Sequence, residues 1–179
     1  MTMTLPGSDR AAKRIVLGSH LDSVPQGGNF DGAAGVLCGL TVAAGMRRAG
    51  FTPARDVTVM AIRAEEAGAW FPTSYPGSRR ALGMLKPQDL EVRRMDSDRT
   101  LADHMREEGF DPGFALRGEC SMGPDSVAAF LELHIEQGPV LEAEGIPVGI
   151  VNVGPTRGDA KADVRVDAER VVVRLEAPG

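Results

Sequence analysis

The sequence predicts an α/β fold organised on a parallel sheet, and three stretches predict it. Ile15-Val16-Leu17 is a short apolar run that reads as a buried strand. From Gly32 to Gly50 apolar residues recur at helical spacing. Val57-Thr58-Val59-Met60-Ala61-Ile62 is apolar and rich in β-branched residues, so it reads as a second interior strand. Strand, helix and strand in that order form a βαβ unit, whose two strands run parallel. In such sheets ligands gather beyond the carboxyl ends of the strands.

Residues 1–13 read as a polar lead-in, and the first strand covers residues 14–18. A glycine-rich loop runs to Asp31. In the helix that follows, Ala33, Val36, Leu37, Leu40, Ala44 and Met46 are the apolar positions. Gly35 and Gly39 lower its helix propensity but allow close approach to the sheet. Arg47 and Arg48 suit its last turn, Gly50 stops it, and Pro53 blocks continuation. Residues 67–76, with Trp70, Phe71 and Tyr75, form an irregular loop that reads either as a pocket wall or as a packed surface loop. Gly77-Ser78-Arg79-Arg80 opens a short helix with Ser78 as its cap. Residues 97–108 form an amphipathic helix carrying His104 on the surface, and residues from Pro124 make a turn or short helix. Phe130 to Glu136 alternates with period two, placing Glu132, His134 and Glu136 on one face. A short helix from Pro139 stops at Gly145; Ile146 to Val153 is a further strand, and Val164 to Leu175 an exposed or edge β-run.

With 179 residues, the chain is long enough for one domain with a substantial core. The net charge of −5 gives no electrostatic footprint for nucleic acid or an anionic membrane. No apolar run approaches the roughly 20 residues of a membrane span, and the N-terminus lacks a signal-peptide core. Cys38 and Cys120 form no metal-like pair; Cys38 reads as a buried thiol, and a cytoplasmic setting is expected.

The chemistry is expected at three strand ends. Gly18-Ser-His20-Leu-Asp22-Ser-Val-Pro-Gln-Gly-Gly-Asn-Phe-Asp31-Gly32 delivers a histidine and two aspartates into a loop. Alone, it reads equally as a metal loop or as a polar loop with a stray histidine. Glu65 and Glu66 end the second interior strand, and His134 ends the alternating run. Histidine nitrogens suit a borderline metal such as zinc, and Asp31 and Glu66 add anionic oxygen. Neighbouring Glu65 and Glu66 point apart on extended backbone, so one can bind metal while the other serves as general base. Asp22, two residues after His20, is placed to accept the far N–H of its imidazole.

Three motifs carry a resemblance: the Gly18–Gly32 stretch; Glu65-Glu66 followed by Gly77-Ser78-Arg79; and Leu133-His134-Ile-Glu-Gln137-Gly-Pro-Val-Leu-Glu142. Together, over about residues 14–151, they resemble the amidase/hydantoinase/carbamoylase family of dinuclear metallohydrolases. That family sits within the larger M20 group and includes N-carbamoyl-L-amino-acid hydrolases, allantoate amidohydrolases and β-ureidopropionases. The resemblance implies a three-layer αβα fold with a mainly parallel mixed sheet, as in the zinc-peptidase catalytic domain. It implies Asp31 bridging two metals, His20 and His134 completing one site, Glu66 binding the other metal, Glu65 as base and Gln137 on the substrate. The substrate implied is a small carbamoyl or ureido compound; an M20 peptidase or aminoacylase, or an inactive metal-binding fragment, is the alternative.

Family members are longer, form homodimers through a lid or dimerisation domain, and take a last histidine ligand from beyond it. Residues 152–179 do not follow the family pattern, and no histidine follows His134. The expectation is therefore a partial catalytic domain over 1–179, truncated at both ends, with one complete metal site of the two. Zinc is the expected metal, with manganese, cobalt or nickel as alternatives.

Overall fold

The computed structural model describes residues 1–123 and 125–145, and the backbone of 150–151, 164–167 and 170–173. Four strands form the main sheet: β1 (Thr2–Leu5), β2 (Arg14–His20), β3 (Val57–Ile62) and β4 (Val127–Leu131), in the order β1-β3-β2-β4. β2 and β3 run parallel, from Ile15 opposite Val57 to His20 opposite Ile62. β4 runs parallel to β2 on its other side. The predicted βαβ unit is thus present, crossed over by α1 (Ala33–Arg48).

β1 corrects the polar lead-in. It pairs antiparallel with β3, and the N-terminal ammonium donates to the Ala61 carbonyl at 2.8 Å. Alternating threonine and methionine carry little hydrophobic signal, so the pairing partner rather than the local pattern makes this a strand. The sheet is consequently mixed.

Helices cover both faces of the sheet. On one, Leu17 and Val59 meet α1 at Gly39, where a Cβ would lie 3.2 Å from each of them. On the other, Val16 packs with Met122 and with Ala81 of α2 (Pro76–Ala81), among Met60, Val127 and Phe130. This is the expected three-layer αβα arrangement.

The buried face of α1 is not its leucines. Gly35, Val36, Gly39 and Ala43 are buried, whereas Leu37 is 61% exposed. A helix lying close on a sheet selects small residues at the contact, and the larger apolar residues are displaced to its flanks. Cys38 shares the outer side and is exposed, not buried as its apolar setting suggested.

Between β3 and β4 the chain builds a second core. α3 (Pro87–Leu90), α4 (Leu101–Glu107) and α5 (Gly113–Leu116) surround Phe71, Leu85, Leu90, Leu101 and Ala102. The aromatic loop therefore contributes Phe71 to packing, while Trp70 stacks under the Arg94 guanidinium. α4 is shorter than predicted because Thr100 caps it. Its hydroxyl accepts from the Asp103 N–H, and the Asp103 carboxylate accepts from the Thr100 N–H. His104 is half-buried, edge-on to Phe71, and not a surface residue. α2 is capped by Tyr75 in a left-handed conformation, not by Ser78.

The alternating run is two strands. Pairing with β2 ends at Leu17 opposite Leu131; after Glu132 the chain continues as β5 (Leu133–His134). α6 (Val140–Ala143) follows, and β6 (Ile150–Val151) pairs antiparallel with β5. The rest of the strand predicted over Ile146–Val153 lies outside the described residues. The late β-run is a ribbon of two antiparallel strands, β7 (Val164–Asp167) and β8 (Arg170–Val173); residues 168, 169, 174 and 175 of that run are not described.

These burials predict contrasting stabilities. Val16 is 1% exposed at the sheet centre, so Val16→Ala is expected to lower unfolding free energy by about 2 kcal/mol. Leu37→Ala is expected to change it by no more than about 0.5 kcal/mol. Urea denaturation of both variants checks the assignment of the α1 face.

Candidate metal centre

The site lies where β2, β3 and β5 end. His20 is the last residue of β2 and is 2% exposed. Its Nδ1 meets the Asp22 carbonyl at 2.5 Å. His134 ends β5, and its Nδ1 meets the Ile135 carbonyl at 2.6 Å. A carbonyl only accepts, so each Nδ1 carries the proton and each Nε2 presents a lone pair. The two Nε2 atoms lie 2.8 Å apart. Two lone pairs at that distance repel unless a proton or a metal ion lies between them.

Two carboxylates face the same point. Asp31 Oδ1 is 3.7 Å from each Nε2; Glu66 Oε1 is 3.2 Å from His20 Nε2 and 3.9 Å from His134 Nε2. Ligand atoms of His20, Asp31, Glu66 and His134 all lie within 4.8 Å of one another. Two imidazole nitrogens and two carboxylates converging in a half-buried space are a donor set that could hold a divalent cation.

Local backbone fixes His20, His134 and Asp31. The second oxygen of Asp31 accepts from the Val24 N–H at 2.9 Å, which leaves Oδ1 aimed at the histidines. Asp31 lies just ahead of Gly32, the N-cap residue of α1. Gly32 adopts φ +67°, and a side chain there would collide with the His20 ring. The loop can therefore turn under the imidazole only with glycine at this position.

Asp22 differs from its expected role. Its carboxylate stands 3.9 Å from His20 Nδ1 and instead accepts from the Glu65 and Glu66 N–H groups, each at 2.9 Å. Its carbonyl, not its carboxylate, takes the imidazole proton. The sequence spacing identifies the residue but not which of its oxygens acts.

Glu65 lies beside the cluster rather than within it. Its carboxylate accepts from the Ser78 N–H at 2.9 Å. Burial pushes its pKa above the usual carboxylate range, and the Ser78 hydrogen bond partly opposes this. Ser78 is the partner that sequence reading missed as such; the Gly77-Ser78 motif marked its place without revealing that the backbone acts.

Gln137 adopts φ +57° and donates its side-chain amide to Asp31 Oδ1 at 2.7 Å and to Glu66 Oε1 at 2.8 Å. It also borders a cavity of about 780 Å³ whose lining includes Val24, Pro25, Gly27, Ile135 and Glu142. The aromatic loop over residues 67–76 contributes none of the lining, so it is not the wall of this cavity.

Known proteins are similar to this chain in sequence and in fold. The N-carbamoyl-L-amino acid amidohydrolase of Geobacillus stearothermophilus is 43% identical over 145 residues, covering 81% of this chain and 34% of that protein. The allantoate amidohydrolase of Bacillus subtilis is 36% identical over 147 residues, covering 82% and 34%. The crystal structure of a hydantoinase/carbamoylase family amidase from Burkholderia ambifaria superposes with a TM-score of 0.66 at 36% identity, over 81% of this chain and 34% of that one. The chain thus spans about a third of the length of these relatives. Among the described residues no helix is long and apolar enough to cross a membrane. The profile of peptidase family M20/M25/M40 matches residues 16–177, and with the βαβ core and the convergent His/Asp/Glu cluster already in place, the chain belongs to that family of metal-dependent hydrolases.

Proposed function

We propose that this chain contributes the metal-binding part of a hydrolase that cleaves linear carbon–nitrogen bonds in carbamoyl or ureido compounds, such as N-carbamoyl-L-amino acids or allantoate. The observation that carries the reading is the 2.8 Å approach of two Nε2 atoms whose Nδ1 protons are both committed to carbonyls. The activities named for the relatives supply the substrate class. Two unpaired cysteines are in keeping with a cytoplasmic setting.

His20, His134 and Asp31 would hold one divalent cation, zinc by the preference of an imidazole-rich set. Asp31 and Glu66 would hold a second one more weakly. The chemistry supplied by such an ion is Lewis acidity, which polarises a carbonyl and acidifies water. Glu65, held by the Ser78 N–H, takes the proton of the attacking water at its carboxylate and returns it to the departing nitrogen as the C–N bond breaks. Its raised pKa brings it closer to a base effective near neutrality. Asp22 keeps Glu65 and Glu66 turned to opposite tasks by binding both backbone N–H groups. Gln137, between cluster and cavity, is placed to hold the substrate.

Two measurements test this. Purified full chain is expected to retain about one equivalent of zinc through gel filtration, and His20→Ala to lose it; equal, low metal content in both would refute the metal centre. N-carbamoyl amino acids are expected to be hydrolysed in preference to N-acyl ones, with Glu65→Gln lowering turnover by about 10²–10⁴-fold while leaving zinc content unchanged. Preference for acylated substrates would support a peptidase or aminoacylase instead. Zinc uptake without turnover of either would leave a binding fragment.

A further inference from the structure

The two histidines arrive on segments that the sheet does not hold together. The β2–β4 ladder ends at Leu17 opposite Leu131. Beyond it, β2 runs on to His20 along β3, while the other segment leaves the sheet at Glu132 and reaches His134 paired with β6. The Nδ1–carbonyl bonds fix each ring against its own segment, because Asp22 and Ile135 are close neighbours of the histidines they hold. Neither bond sets the distance between segments.

A buried side-chain link spans that gap. Ser19 Oγ donates to Glu132 Oε1 at 2.6 Å, and Ser19 is fully buried. Ser19 directly precedes His20, and Glu132 lies two residues before His134. Helix α1 closes over the junction at Gly35. A Cβ there would lie 2.6 Å from Ser19 Cβ and would collide with the Leu133 carbonyl, so the helix backbone rests on both segments at once.

We infer that Glu132, anchored by Ser19, is a positioning residue that sets the separation of the His20 and His134 imidazoles and thereby the affinity of the centre for its metal. The inference rests on the reading of His20, Asp31, Glu66 and His134 as metal ligands. Glu132 acts through geometry: it needs an oxygen acceptor at this point, not a charge. At 2.6 Å the hydroxyl and its acceptor oxygen make a short hydrogen bond, and the orientation of ligating imidazoles by surrounding groups governs metal affinity.

The test uses the full chain, zinc alone, and competition with a chromophoric chelator, alongside cobalt absorption spectra and thermal melting. Ser19→Ala and Glu132→Ala are expected to weaken zinc binding by about 10–100-fold and to alter the cobalt spectrum. Glu132→Gln, which keeps the acceptor oxygen, is expected to restore affinity close to that of the unmodified chain. A merely structural role would lower the melting temperature in step with affinity and would show no such rescue. If Glu132→Ala does not fold, Ser19→Ala and Glu132→Gln carry the comparison. Ser19→Ala binding zinc as tightly as the unmodified chain, while His20→Ala does not, overturns the positioning role alone. So does Glu132→Gln binding as weakly as Glu132→Ala or Ser19→Ala. An unmodified chain that binds no zinc overturns the metal centre, and the positioning role with it.

Discussion

One residue, Asp22, joins the strand ends on which the site depends. Its carboxylate accepts the N–H groups of Glu65 and Glu66, which are 43 and 44 positions away in the sequence, and its carbonyl accepts the His20 Nδ1 proton. His20, Glu65 and Glu66 are thus referred to a single short loop. The parallel register of β2 and β3 makes this possible, because His20 opposite Ile62 brings the two strands to an end together. Asp22 therefore satisfies polar groups that would otherwise be left without partners where the ladder stops.

Around this link the cluster is arranged from three directions. β2 supplies His20, the loop into α1 supplies Asp31, and the end of β3 supplies Glu66. His134 comes from the far side, and Gln137 follows it into the space between carboxylates and cavity. His20, His134 and Asp31 each have one polar side-chain atom fixed by backbone and another facing inward. That division fixes direction, and the Gln137 amide holds the two inward carboxylate oxygens of Asp31 and Glu66.

Much of this was legible in the sequence because hydrophobic runs marked the strand ends and the residues after them were chemically conspicuous. Val57–Ile62 announced a strand, and Glu65-Glu66 followed it. His20, Asp31, Glu66 and His134 were named as one group, and the fold brings their ligand atoms within 4.8 Å. What was not legible depended on partners. Thr2–Leu5 is a strand because β3 offers an edge, not because its own pattern demands one. The buried face of α1 was misread since proximity to the sheet favours Gly35 and Gly39 over Leu37. Ser78 was read as a cap because its hydroxyl is visible in a sequence, whereas its backbone N–H, which holds Glu65, is common to almost every residue.

The second core, around Phe71, Leu85, Leu90, Leu101 and Ala102, has an entropic consequence. The contact between His20 and His134 closes a loop of 114 positions. Closing a loop of that length has an entropic cost that grows with the number of free residues inside it. The intervening helices pack on contacts much closer in sequence than that closure, which leaves fewer free residues inside the loop. A chain whose ends have not met presents His20 apart from His134, so the His/Asp/Glu cluster exists as a unit only in the completed fold.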